Sequence, residues 1–262
     1  MALRRRRWRR RHDLQRTTGT TSNRPLAVMF QSTRPPVVEI TADTRHNKVV
    51  MDEPKIYLDL MTQALARLTA CEKYLAAYKS LGQLCELESA ALQLRKSMEA
   101  VAFAAIAPNK QMYAAFRKNA DKPSHFGDDW QADSIFLSLS KVNPDFYPDP
   151  VLQETRVGPN ACHFGKPLNG YMKRKNFETL YKRLGKFLHA DNPWGNDKGW
   201  DNFAKDLPEA IVKIRALLKK HRTLIRAPEF NGVWVVDAPS DGTPPRMFRA
   251  MTDGPFTTLS AH

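Results

Sequence analysis

The chain has 262 residues, 42% of them apolar and 26% charged, a balance that suits one substantial core and excludes disorder throughout. Its formal charge of +14 is uneven: residues 1–50 hold eleven Arg and one Lys against Asp13, Glu39 and Asp43, a net +9, which leaves +5 for the remainder. Cys71, Cys85 and Cys162 have no CxxC spacing, and no run approaches the roughly 18 apolar residues of a membrane span, so a disulfide framework, a zinc site and a membrane protein are all disfavoured.

Residues 1–50 combine "RRRRWRRR", "TTGTTSN" and "RPP" with too few periodic apolar residues to repay ordering, and they read as a basic flexible arm. The arginines could neutralise phosphates and Trp8 could stack on a base, although Met29 and Met51 are alternative starts. The polar residues after the arginine run replace the apolar stretch of a secretory signal, so a reducing cytoplasm is the expected compartment.

From 51 to 226 the pattern is that of a helical bundle. Ile56, Leu60, Ala64, Leu68, Cys71 and Leu75 recur at three- and four-residue steps and predict a helix over 53–80. "SLG" stops it. A second helix over 83–106 carries the stripe Leu87, Ala91, Leu94, Met98, Val101 and Ala105 until Pro108, and the short link makes the two antiparallel. Glu88, Leu92, Arg95 and Glu99 form another line on this helix, read as a solvated face with an Arg95–Glu99 ion pair. Residues 109–169 form an irregular, proline-rich insertion in which only "DDWQADSIFLSLSKV" reads as a helix, with Asp128 or Asp129 as its cap, and "VNPDFYPDP" as an aromatic strap across the helices. His125, Cys162 and His163 there lack metal-site spacing, and no metal or cofactor is expected.

A third major helix over 170–188 buries Phe177, Leu180, Tyr181, Leu184, Phe187 and Leu188, and a fourth over 201–224 buries Leu207, Ile211, Ile214, Leu217 and Leu218. Residues 227–262 change period: "GVWVVDA" and "PRMFRAM" around "PSDGTPP" predict a terminal β-hairpin appendage.

Near the end of the third helix, "LYKRLGKFLHADNPWG" places Arg183 six residues before His189. Histidine can take a proton from a 2′-hydroxyl near neutral pH, and arginine can grip the attacked phosphate with its permanently charged fork. On a regular helix the two lie about 120° apart, so convergence requires unwinding near Gly185 or Asp191, or a partner chain. The alternative is plainer: a C-capping histidine and an ion-paired arginine.

Arg183 and His189 match the Arg-x(4 to 6)-His signature of HEPN domains, and "ESAALQLRKSMEAVAFAAI" looks like the second helix of such proteins. The resemblance covers about 51–222. It implies a mainly α, HEPN-like bundle that dimerises through its motif-bearing faces. It also implies a metal-independent RNA endonuclease of a prokaryotic toxin, defence or RNA-processing system, with Arg183 stabilising the phosphate, His189 as general base or acid, and Asn192 nearby as a further site residue. A non-catalytic HEPN-like module is the other expectation, binding nucleic acid or a protein partner through "NPWGNDKGW" and the hairpin, with Trp194 and Trp200 as anchors.

Overall fold

The computed structural model describes residues 28–29 and 52–251, apart from 121–124, 159–160, 191, 196, 228–229 and 240–241. The flexible reading of 1–50 therefore lies outside the described residues, save for the two-residue strand β1 (Val28–Met29).

Pro54 in the first turn of α1 (Glu53–Leu81) costs no hydrogen bond, because the N–H it lacks has no partner there anyway. Gly82 closes the helix at φ 68°, a left-handed cap whose N–H donates to Tyr78 O at 2.8 Å. After only Gly82 and Gln83 the chain re-enters α2 (Leu84–Ile106). Ser97 Oγ donates to Ala64 O, and Arg67 Nη1 to Gln93, each at 2.8 Å, so residue numbers rise on one helix as they fall on the other. The pair is antiparallel, as expected. Six buried alanines on α2 let neighbouring helices approach closely.

α2 ends at Ile106, just before Pro108, as expected. That proline tightens the chain through the 3-10 turn Ala107–Asn109, after which α3 (Lys110–Lys118) begins. Residues 109–169 are thus more regular than expected, since they hold α3, α4 (Ala132–Val142) and the strands β2 (Asp149–Pro150), β3 (Glu154–Gly158) and β4 (Ala161–Phe164). Neither Asp128 nor Asp129 caps α4, whose N-cap is Gln131. Asp129 instead accepts from Tyr113 Oη at 2.8 Å and from Arg117 Nε and Nη2 at 2.9 and 2.8 Å. The aromatic strap is present: Phe146 is buried edge-on against Phe136, and Tyr147 packs on Phe177.

The largest departure concerns the fourth predicted helix. It ends at Lys219 as α6 (Trp200–Lys219), and Lys220 at φ −146°, ψ 117° starts the strand β5 (Lys220–Ala227) with no loop between them. β5 pairs with β6 (Phe230–Asp237), and β6 with β7 (Arg246–Met251), the pair read from the sequence as a hairpin. The sheet is wholly antiparallel in the order β2-β5-β6-β7-β1-β4-β3. Its strands alternate as period two demands: Ile225, Trp234 and Val236 join the helical core, while Leu224, Val233 and Val235 pack with Val151 on the other face. The architecture is mainly helical with this small sheet laid against it. Among the described residues no helix is long and apolar enough to cross a membrane.

Candidate functional site

α5 (Arg174–Phe187), the third major helix, carries the Arg183 motif. Phe177, Tyr181, Leu184 and Phe187, at steps of four, three and three, are buried and fix the rotation of the helix on the core. Rotation then places Lys175, Thr179, Lys182 and Lys186 on one exposed line, at steps of four, three and four. None of these three lysines makes an ion pair with a described residue.

Arg183 sits at the margin between the two faces. Its Nη1 donates to Asp206 of α6 at 2.7 Å, and its guanidinium carbon lies 5.6 Å from the Phe203 ring centre and 6.0 Å from that of Phe187. Phe187 and Phe203 are themselves stacked at 4.2 Å. A carboxylate and two aromatic faces therefore hold the guanidinium, while its Nε and Nη2 donors have no described partner. His189 stands two residues beyond the helix and is exposed, and its backbone carbonyl accepts from Lys198 Nζ. Its ring has no hydrogen-bond partner among the described residues. No hydrogen bond joins Arg183 to His189, which lies past the end of the helix that carries the arginine.

Asn192 builds a turn: its Oδ1 accepts from Trp194 N at 3.1 Å and its carbonyl from Gly195 N at 2.9 Å. That turn presents Trp194, which is 92% exposed. Trp200, by contrast, packs its ring 4.6 Å from Phe187 against the core and is not the exposed anchor expected of it. Further off, His125 Nδ1 accepts from Gly127 N and its ring stacks on Phe126, so this histidine serves a local turn.

Gly185 does not unwind α5. A methyl group there would meet Arg95 Nη1 at 3.3 Å, so the missing side chain is what admits Arg95. The Arg95–Glu99 ion pair exists at 3.1 Å, but not on a solvated face: the two side chains are only 16% and 22% exposed beneath α5. Arg95 donates to Tyr181 Oη at 2.7 Å and to Tyr181 O at 3.3 Å, and Tyr181 Oη donates to Glu99 at 2.9 Å. Burial pushes the Tyr181 phenol up to about 12, which keeps it protonated and able to donate. Sequence reasoning missed Tyr181 as a polar partner because its position in the apolar band made it simple core.

No family model, curated protein or solved structure matches the chain.

Proposed function

We propose that this chain binds single-stranded RNA along the exposed face of α5 and cleaves it without metal at the Arg183/His189 end of that helix. The observation that carries the reading is the line of Lys175, Lys182 and Lys186, without carboxylate partners among the described residues, which leads to the exposed His189. Three such lysines suit a phosphate backbone, because each neutralised phosphate releases counterions. Single-stranded RNA leaves the 2′-hydroxyl mobile enough for in-line attack.

In the proposed reaction His189 takes the proton of a 2′-hydroxyl. The 2′-oxygen then attacks the adjacent phosphorus, forming the P–O2′ bond as the P–O5′ bond breaks. The products are a 2′,3′-cyclic phosphate and a 5′-hydroxyl whose proton returns from an imidazolium. Arg183, already oriented by Asp206 and the two phenylalanine rings, offers the donors that have no partner among the described residues to the phosphoryl oxygens. Because His189 lies past the end of the helix that carries Arg183, a two-fold pair of chains meeting at the C-terminal end of α5 would bring the His189 of one to the Arg183 of the other.

A second reading, a non-catalytic HEPN-like binding module, is favoured by two observations. Asp206 already occupies one face of Arg183, and the ordered, exposed Trp194 suits a contact surface. Labelled single-stranded RNA incubated in EDTA with the intact chain, Arg183→Ala and His189→Ala separates the readings. Cyclic-phosphate ends lost in both folded variants support cleavage. Absence of cleavage by the folded intact chain leaves the binding module.

A further inference from the structure

A second basic feature lies at the opposite end of α5. Where the strap at 144–150 crosses the start of that helix and the edge of β5, the surface forms an open groove of about 260 Å³. Its walls include Tyr147, Tyr171, Lys166, Lys173 and the carboxylates of Asp145 and Asp149. The tyrosines differ. Tyr147 is locked, because its Oη donates to Met172 O at 2.9 Å and its ring packs on Phe136 and Phe177. Tyr171 is half-buried and its hydroxyl makes no bond to a described residue.

The charges are unequally committed. Both oxygens of Asp149 are taken, Oδ1 by Lys166 at 2.6 Å and Oδ2 by Arg222 Nε and Nη2 at 3.0 and 2.9 Å. One carboxylate therefore serves two cations, and with Lys166, Lys173 and Arg174 against Asp145 and Asp149 the lining keeps one net positive charge. Lys173 is exposed and has no ion pair with a described residue, whereas Arg174 is engaged by Glu178 at 2.8 Å and lies over Phe146. An ammonium with no ion-pair partner among the described residues, beside a partly exposed aromatic ring in a concave wall, suits a ligand that is flat at one end and anionic at the other.

We propose that this groove is a remote subsite for one nucleotide of the same RNA strand, with the base laid on Tyr171 and the phosphate between Lys173 and Lys166. The inference rests on the RNA reading of α5 and adds to it an anchoring point far from the scissile bond. The fourteen residues of α5 separate the groove from the Arg183 end by about 21 Å, and Lys175, Lys182 and Lys186 lie along that path. A strand must then be several nucleotides long to engage both ends at once. A dinucleotide reaches only one.

The test is binding of a fluorescein-labelled, 2′-O-methyl twelve-nucleotide strand to the full chain by anisotropy, since the methyl group removes the attacking hydroxyl and separates binding from cleavage. Lys173→Ala and Tyr171→Ala are each expected to weaken binding about tenfold, and Tyr171→Phe to keep it, because stacking needs only the ring. A labelled dinucleotide is expected to bind far more weakly than the long strand. Unchanged affinity in both alanine variants overturns the subsite while leaving cleavage at Arg183 and His189 a separate matter, read in its own EDTA assay. Adenosine monophosphate binding as tightly as the twelve-mer, with the lysines of α5 irrelevant, also overturns it and makes the groove a free-nucleotide site. Because Tyr171→Ala removes packing, its melting temperature is measured alongside. Lys173→Ala, an exposed change, carries the decision if the tyrosine variant is unfolded.

Discussion

Tyr57 Oη and His221 Nε2 lie 2.8 Å apart, both buried, joining the first long helix to the first residues of β5 across 164 positions of sequence. The other ring nitrogen, Nδ1, is 3.0 Å from Leu218 O, a carbonyl that can only accept. His221 is therefore the neutral Nδ1–H tautomer, and Tyr57 donates to Nε2.

Burial lowers the His221 pKa to about 4 from an ordinary value of 6.5. The folded state resists the proton that the unfolded state accepts, so the stability contributed by the neutral ring is complete above pH 6.5 and is lost as pH falls toward 4. The loss is on the order of 3 kcal/mol over that window. Melting curves from pH 7.5 to 4 should fall accordingly. Tyr57→Phe should be less stable at pH 7 by about 1–3 kcal/mol, because it leaves a buried nitrogen unpaired. A pH-independent melting temperature over this range would contradict the assignment.

The three lysines on the outer line of α5 predict a salt dependence. Replacing Lys175, Lys182 and Lys186 by glutamine should reduce the slope of log affinity for single-stranded RNA against log salt by about 2, since each phosphate contact contributes roughly 0.7 on a single strand. The fold should be untouched, as all three are exposed. An unchanged slope would remove α5 from the RNA path.

In the proposed reaction Asp206, which pairs with Arg183, would compete with phosphate for it. Asp206→Asn should strengthen RNA binding several-fold and change stability by less than about 1 kcal/mol, the ordinary range for an exposed ion pair. Weaker binding in this variant would mean that the carboxylate is needed to hold the guanidinium in its working pose.

Tyr181→Phe should lower the melting temperature by about 2–8 °C, corresponding to 1–2 kcal/mol, because the half-buried Arg95 and Glu99 lose the hydroxyl between them. A larger residue at Gly185, such as valine, should cost at least as much, since Arg95 is held on two sides and cannot move aside. Equal melting of all three proteins would show that this contact is idle.

The four major helices were legible because their buried stripes repeat at the helical period, and Leu68, Leu94 and Leu217 are all fully buried where the pattern puts them, whereas the nine-residue α3 buries only Tyr113 and was not read. The start of β5 was not. In "LLKKHRTLIRA" the apolar residues satisfy both a helical step and an alternating one, and only pairing with β6, which arrives later in the chain, decides between them. Of the candidate site, the exposure of His189 follows from its position past a helix end. The Arg183–Asp206 pair and the admission of Arg95 at Gly185 depend on contacts across 23 and 90 residues, which no local pattern encodes.

The two-residue link between α1 and α2 also bears on how the chain folds. Residues 53–106 can zip into a helical pair through contacts close in sequence, whereas β2 reaches β5 only after some seventy intervening residues have been ordered. Closing short loops first costs least entropy, so the pair should be the earliest cooperative unit and the sheet the last. In native-state hydrogen exchange this ordering should show as long-lived amides at Leu94 and Met98 and faster exchange along β2 and the first residues of β5.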